Sequence, residues 1–142
     1  MASEAFRPLA EAQGLPQVEI VKAFRFEAAH RLPRVPPGHP CGQIHGHSYR
    51  VELHLRGAVD PASGWVMDFG DVSALARPVI GELDHACLNE IPGLENPTSE
   101  NLCLWLAARL APVLPNLHAI VVRETESSAS RFELPAVLGR SG

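Results

Sequence analysis

Two histidines flank a glycine in His45-Gly-His47, at the start of a stretch, residues 44–56, in which His45, His47, Tyr49, Val51, Leu53 and Leu55 alternate with other residues. In an extended strand, residues i and i+2 face the same side. Both imidazoles could therefore meet one metal ion, and neutral imidazole is a usual ligand for zinc. Gly46 removes bulk from the opposite face. The pair alone is a weak signal. His30 strengthens it, because it ends a second alternating stretch (Val18, Ile20, Lys22, Phe24, Phe26, Ala28, His30) on the face of Phe24 and Phe26. Three histidines would leave the fourth position of a tetrahedral zinc open, which is the catalytic rather than the structural arrangement. The plain alternative is a hydrogen-bonded core histidine at position 30 and two histidines without a ligand role.

Cys41 lies four residues before His45 in a loop rich in proline and glycine. It could close a tetrahedron with the three histidines and make the metal structural. It could also stand beside the metal, where a nearby cation favours the thiolate and gives a base or nucleophile. Asp84-His85 pairs a carboxylate with an imidazole, an arrangement that orients the ring for acid–base work, although a solvated helix end would look the same. Glu124 shares the parity of the apolar Ile120 and Val122. A carboxylate on such a face needs a partner: an arginine, or a ligand edge with two parallel N–H groups.

The frame that carries these residues is modest. A chain of 142 residues makes one domain with a real core. Hydrophobic residues make up 46% and charged residues 20%, ordinary for a soluble globular protein. The net charge of -4 and the absence of a basic run speak against a nucleic-acid binder. No apolar stretch reaches membrane-spanning length and no signal-peptide pattern opens the chain, so the expected location is the cytoplasm, with no membrane partner. The three cysteines, Cys41, Cys87 and Cys103, are odd in number and irregularly spaced, which argues against a disulfide framework. Cys87 and Cys103 read as small core residues.

The element order follows from periodicity. Strands are expected over 18–30 and 44–56, with a short third strand over 65–69 forming a hairpin with the second. A helix over 71–83 has Val72, Leu75, Val79 and Leu83 at helical spacing and Pro78 as a kink or break. Thr98 should cap a second helix with Leu102, Trp105, Leu106 and Leu110 on its apolar side, ending at Pro115. A last strand spans 117–125. Strands and helices are segregated, so the class is α+β with an antiparallel sheet. Residues 1–17 read as an extension, 18–134 as the domain and 135–142 as a tail.

Six blocks carry a resemblance: Phe26-Glu-Ala-Ala-His-Arg-Leu32, Cys41-Gly-Gln-Ile-His-Gly-His-Ser48, Gly64-Trp-Val-Met-Asp-Phe69, Leu83-Asp-His85, Pro92-Gly-Leu-Glu-Asn-Pro-Thr-Ser-Glu100 and Arg123-Glu-Thr125. In this order and spacing they resemble the 6-pyruvoyl-tetrahydropterin synthase family, most closely its bacterial branch, 6-carboxy-5,6,7,8-tetrahydropterin synthase of queuosine (7-deazaguanine) biosynthesis. The resemblance implies the T-fold, a four-stranded antiparallel sheet with two helices, assembled as a trimer or hexamer with active sites at subunit interfaces. It implies zinc on His30, His45 and His47, proton transfer by Cys41, Asp84 and His85, and a pterin anchored by Glu124 with help from Thr98 and Ser99. The implied substrate is 7,8-dihydroneopterin triphosphate; the implied products are 6-carboxytetrahydropterin, acetaldehyde and triphosphate. Residues 126–132 do not align with the family pattern, and no motif names the cations for the triphosphate; Arg31 is the nearest candidate. The competing readings are 6-pyruvoyl-tetrahydropterin synthase, a zinc hydrolase that needs no thiol, and a structural zinc module with Cys41 as fourth ligand.

Overall fold

The computed structural model describes residues 15–135; most of the expected extension (1–14) and of the expected tail (136–142) lies outside the described residues. Strand β1 (Gln17–His30) and strand β2 (His45–Ala58) are 14 residues each. They pair antiparallel without a break, from Gln17 opposite Ala58 to His30 opposite His45. Alternation puts Phe24, Phe26 and Ala28 of β1 and Tyr49, Val51, Leu53 and Leu55 of β2 on one buried face. Phe26 and Tyr49, directly opposite each other, stack with ring centroids 4.7 Å apart.

Helix α1 (Phe69–Leu83) follows, then a two-residue strand β3 (Ala86–Cys87), helix α2 (Ser99–Leu110), strand β4 (Leu117–Thr125) and strand β5 (Ser128–Glu133). The sheet order is β3-β1-β2-β4-β5. Four strands are antiparallel neighbours, as expected; β3 adds in parallel to the free edge of β1. The unaligned stretch 126–132 is the turn into β5 and most of that strand. Val72, Ala76, Val79, Ile80 and Leu83 of α1 and Leu102, Cys103, Leu106, Ala107 and Leu110 of α2 are buried and join the strands in one core. This is an α+β domain. No helix among the described residues is long and apolar enough to cross a membrane.

Expectations change at residues 65–69 and in the apolar stripe of α1. Residues 65–69 form no strand, because both edges of β2 are already taken by β1 and β4. Asp68 instead caps α1, accepting from the Gly70 N–H at 2.9 Å. Pro78 sits inside α1 without ending it. It cannot donate to the carbonyl of Ala74, but both residues are exposed, so water can take that carbonyl. The stripe also shifts: Leu75 is exposed, and Ala76 and Ile80 replace it in the core.

Thr98 caps α2 as expected, its hydroxyl accepting from the Asn101 N–H at 3.1 Å. The turn before it needs Gly93, whose φ of 91° is a left-handed value that L side chains seldom adopt. Thr98→Ala should lose the cap and about 1 kcal/mol, lowering the melting temperature by about 4 °C, while Thr98→Ser should melt close to the parent. Equal melting of all three proteins would show that the cap contributes nothing.

Candidate active site

The end of β1 and the start of β2 meet at one end of the sheet. His30 stands opposite His45, and His47 opposite Ala28. The three rings have centroids 4.6, 5.1 and 4.9 Å apart, and one ligand atom of each lies within 4.8 Å of the other two. His30 is 1% exposed, whereas His45 and His47 are half-buried, so the cluster has a closed floor and an open mouth.

Hydrogen bonds set the tautomers. His30 Nδ1 lies 2.8 Å from the Pro97 carbonyl and His45 Nδ1 lies 2.8 Å from the Gln43 carbonyl. A carbonyl only accepts, so each Nδ1 carries the hydrogen and donates it. In the neutral rings both Nε2 atoms are then lone-pair nitrogens, and they face each other at 3.0 Å. Two lone pairs at that separation repel unless a cation lies between them. Burial, opposed by the Pro97 carbonyl and the Glu124 charge, holds the His30 imidazolium below its ordinary pKa. A shared proton is thereby disfavoured, and the donor set fits a divalent ion that takes imidazole nitrogen. Carbonyls that orient ligand imidazoles through the far nitrogen are a usual outer shell of such sites. Tyr49 adds a buried hydroxyl 3.2 Å from His30 Nδ1.

Cys41 occupies a 3-10 turn, Pro40–Gly42, and is half-buried. Its N–H donates to His39 Nδ1 at 3.1 Å, and its carbonyl accepts from the Leu32 N–H at 2.7 Å, which fastens the loop just past His30. Among the described residues the thiol is not part of the ligand cluster. Asp84 is the C-cap of α1. Its Oδ1 accepts from the Glu27 N–H at 2.9 Å and lies 3.0 Å from His85 Nδ1; the Glu27 amide, ahead of the His85 ring, holds the carboxyl below its usual range. The His85 N–H donates to the Glu27 carbonyl. His85 has a φ of 59°, uncommon for a residue other than glycine, so both ends of the Glu27 peptide grip the Asp84-His85 pair. His85 and His47 line one open cleft of about 510 Å³ with Glu27, Ser48 and Cys87. Gly46 lines it too; an added Cβ would meet only the Ala28 carbonyl at 3.5 Å, so openness rather than tight packing suits glycine there.

Glu124 lies on the apolar face of β4 and has no hydrogen bond or ion pair among the described residues. The arginine partner considered from sequence is not found among the described residues: Arg123 reaches Glu52 on the other face, at 3.4 Å. Glu124 lines a second cleft, of about 500 Å³. Thr98 and Ser99 are engaged within the chain, Thr98 as the cap and Ser99 through Ser130 Oγ at 2.6 Å. Arg31 is held by its backbone: Asn89 Oδ1 accepts from its N–H at 2.9 Å and Asn89 Nδ2 donates to its carbonyl at 2.8 Å. Sequence reasoning missed Asn89, Glu27, and the Pro97 and Gln43 carbonyls; a backbone carbonyl leaves no residue-type signal. It also misjudged Cys87, which is half-buried on the first cleft because the parallel pairing of β3 brings it to the sheet edge. Cys103 is buried as expected, and burial pushes its thiol up to about 11.

The geometry sets a metal test. His47→Ala removes a half-buried ring outside the packed core, so the variant should stay folded by circular dichroism yet lose the roughly one equivalent of metal that a three-histidine site holds. Full metal content in folded His47→Ala would exclude this ligand set.

Known proteins agree with the architecture. Residues 19–134 match the family described as 6-pyruvoyl tetrahydropterin synthase. The 6-carboxy-5,6,7,8-tetrahydropterin synthase of Synechocystis sp. is 39% identical over 122 residues, covering 82% of this chain and 93% of the relative. A putative 6-carboxy-5,6,7,8-tetrahydropterin synthase of Archaeoglobus fulgidus is 41% identical over 102 residues, covering 71% and 83%. The structure of the Caenorhabditis elegans 6-pyruvoyl tetrahydropterin synthase superposes with a TM-score of 0.79 at 26% identity, over 85% of this chain and 98% of that one. With the sheet, the two helices and the match over residues 19–134, the chain belongs to the 6-pyruvoyl tetrahydropterin synthase family and has its T-fold.

Proposed function

We propose that the protein is a zinc-dependent pterin lyase. It converts 7,8-dihydroneopterin triphosphate and one water into 6-carboxy-5,6,7,8-tetrahydropterin, acetaldehyde and triphosphate, a step of queuosine biosynthesis. The observation that carries this reading is the convergence of three imidazoles, two of which, His30 and His45, have their far nitrogens tied to carbonyls. His30, His45 and His47 would hold the ion, and neutral imidazoles suit zinc. When bound, zinc would supply Lewis-acid polarisation of the substrate's side-chain hydroxyls. Glu124, with no hydrogen bond or ion pair among the described residues, would accept two parallel N–H groups from the pterin edge. Cys41, as thiolate, would take a proton from the substrate side chain. His85, oriented by Asp84, would return or relay protons. Thr98 and Ser99, whose hydroxyls are used inside the chain, would shape the wall behind the ring. Active sites at the interfaces of a homotrimer or hexamer belong to the same proposal.

The second reading keeps the site and changes the product. A 6-pyruvoyl-tetrahydropterin synthase would retain the side-chain carbons, and the Caenorhabditis elegans structure carries that name. The relatives at 39% and 41% identity, both named for the carboxy reaction, favour the first reading. A structural zinc module is disfavoured by the position of Cys41 outside the ligand cluster.

Incubation with dihydroneopterin triphosphate should release triphosphate and an aldehyde that a hydrazine reagent traps as the acetaldehyde adduct. Triphosphate without aldehyde would move the protein to the pyruvoyl reaction. Cys41→Ala should keep its metal and bind substrate but lose turnover; metal leaving with the thiol would favour the structural module. Glu124→Gln should weaken pterin binding by about 1.5–3 kcal/mol, the value of a charged hydrogen bond, and unchanged affinity would remove the anchor role.

A further inference from the structure

The sheet has a second face, and three guanidinium groups stand in line on it. Arg25 lies between the buried Phe24 and Phe26 and so points away from the core. The register sets Arg25 opposite Arg50, and Arg50 opposite Arg123. One row of pairing therefore carries three like charges on three adjacent strands, and like charges directly opposite destabilise a sheet. One carboxylate answers them. Glu52 Oε2 lies 3.2 Å from Arg50 Nε and 3.4 Å from Arg123 Nε, and its Oε1 lies 3.4 Å from His54 Nε2. Arg25 has no hydrogen bond or ion pair among the described residues. Glu27, the next acidic residue on this face of β1, accepts from Ser48 Oγ at 2.5 Å. The three arginines line the second cleft together with Ser48 and Thr125; Glu124 and Glu126 lie on its β4 side.

We propose that the Arg25–Arg50–Arg123 row is a binding site for a linear oligophosphate. Strands about 4.8 Å apart put the outer two of the three roughly 10 Å apart, so successive phosphates can meet successive guanidinium forks, each able to bond two oxygens. The cleft is polar along its length. Glu124 and Glu126 disfavour an anion at their end, so the phosphates lie toward Arg25 and Arg50. Glu124 at the other end is left for a ligand edge rich in N–H donors. A pterin bearing a triphosphate presents these two ends. That last fit rests on the proposed substrate; the oligophosphate site itself does not. Arg31, the cation considered from sequence, lies outside this row, one residue past the end of β1.

The test is titration calorimetry of the full-length, zinc-loaded protein with inorganic tripolyphosphate, which needs no turnover. Saturable binding is expected, weakening as salt rises. Arg25→Ala removes no hydrogen bond or ion pair among the described residues, so its melting temperature should stay at the parent value while its Kd rises about tenfold or more, as for one lost charge-assisted bond. Arg25→Lys should recover part of the loss and Arg25→Glu should bind least. Two kinetic arms separate the sources of the phosphate. If the substrate ester occupies the row, Arg25→Ala raises KM for dihydroneopterin triphosphate by a similar factor and leaves binding of unphosphorylated dihydroneopterin unchanged. If only the free chain binds, KM is unchanged and inhibition by tripolyphosphate is relieved. Tripolyphosphate binding that is absent, or equal in the parent, Arg25→Ala and Arg25→Glu, overturns the site. Intact binding in a protein that never turns over would instead count against the lyase reading.

Discussion

His30 faces His45 because β1 and β2 pair for 14 residues without a slip, and the rest of the molecule is arranged around that register. A shift of one residue would turn every side chain of one strand to the opposite face. The register is locked by burial well away from the histidines: Phe24, Phe26, Tyr49, Val51, Leu53 and Leu55 must all face the helices. The same face, continued to the strand ends, presents His30, His45 and His47. One determinant thus serves both stability and ligand geometry, and the intervening positions, Arg25 and Arg50 among them, are sent to the other side together.

At the end of the sheet the apolar lock gives out and backbone contacts take over. The loop after β1 is fastened by Leu32 to the Cys41 carbonyl, and Asn89 clasps the Arg31 peptide from both sides. The Glu27 peptide holds Asp84 and His85. The Pro97 carbonyl, one residue before the cap of α2, fixes the His30 ring. Groups drawn from distant parts of the chain are therefore positioned by hydrogen bonds to main-chain atoms around the ends of the two longest strands. Glu124 and Arg25, which have no hydrogen bond or ion pair among the described residues, are side chains left able to meet a ligand.

Much of this was legible in the sequence, for a physical reason. Period-two alternation carried both long strands and, through parity, put the three histidines on one face and Glu124 with Ile120 and Val122. The Thr98 cap was legible because capping is local chemistry. What escaped was non-local. Residues 65–69 have strand-like composition, but no edge of β2 remains for them, and that is decided by β4, some fifty residues later. Cys87 looks like a core residue until the parallel pairing of β3 brings it to a cleft. The arginine row is invisible in one dimension, since Arg25, Arg50 and Arg123 become neighbours only through two registers. Likewise, an arginine partner for Glu124 was reasonable from composition, yet Arg123 alternates to the opposite face.

The proposed chemistry rests on a three-histidine ion with one position left for substrate and with Cys41 beside it rather than on it. Cobalt(II) replacing the native ion tests this directly, because its absorption spectrum reports both geometry and ligand type. Such a site should give the strong visible bands of a four-coordinate cobalt ion, no thiolate-to-cobalt charge-transfer band, and a shift of the visible bands when dihydroneopterin triphosphate is added to Cys41→Ala protein. A thiolate charge-transfer band in the parent protein that disappears in Cys41→Ala, or visible bands indifferent to the pterin, would contradict it.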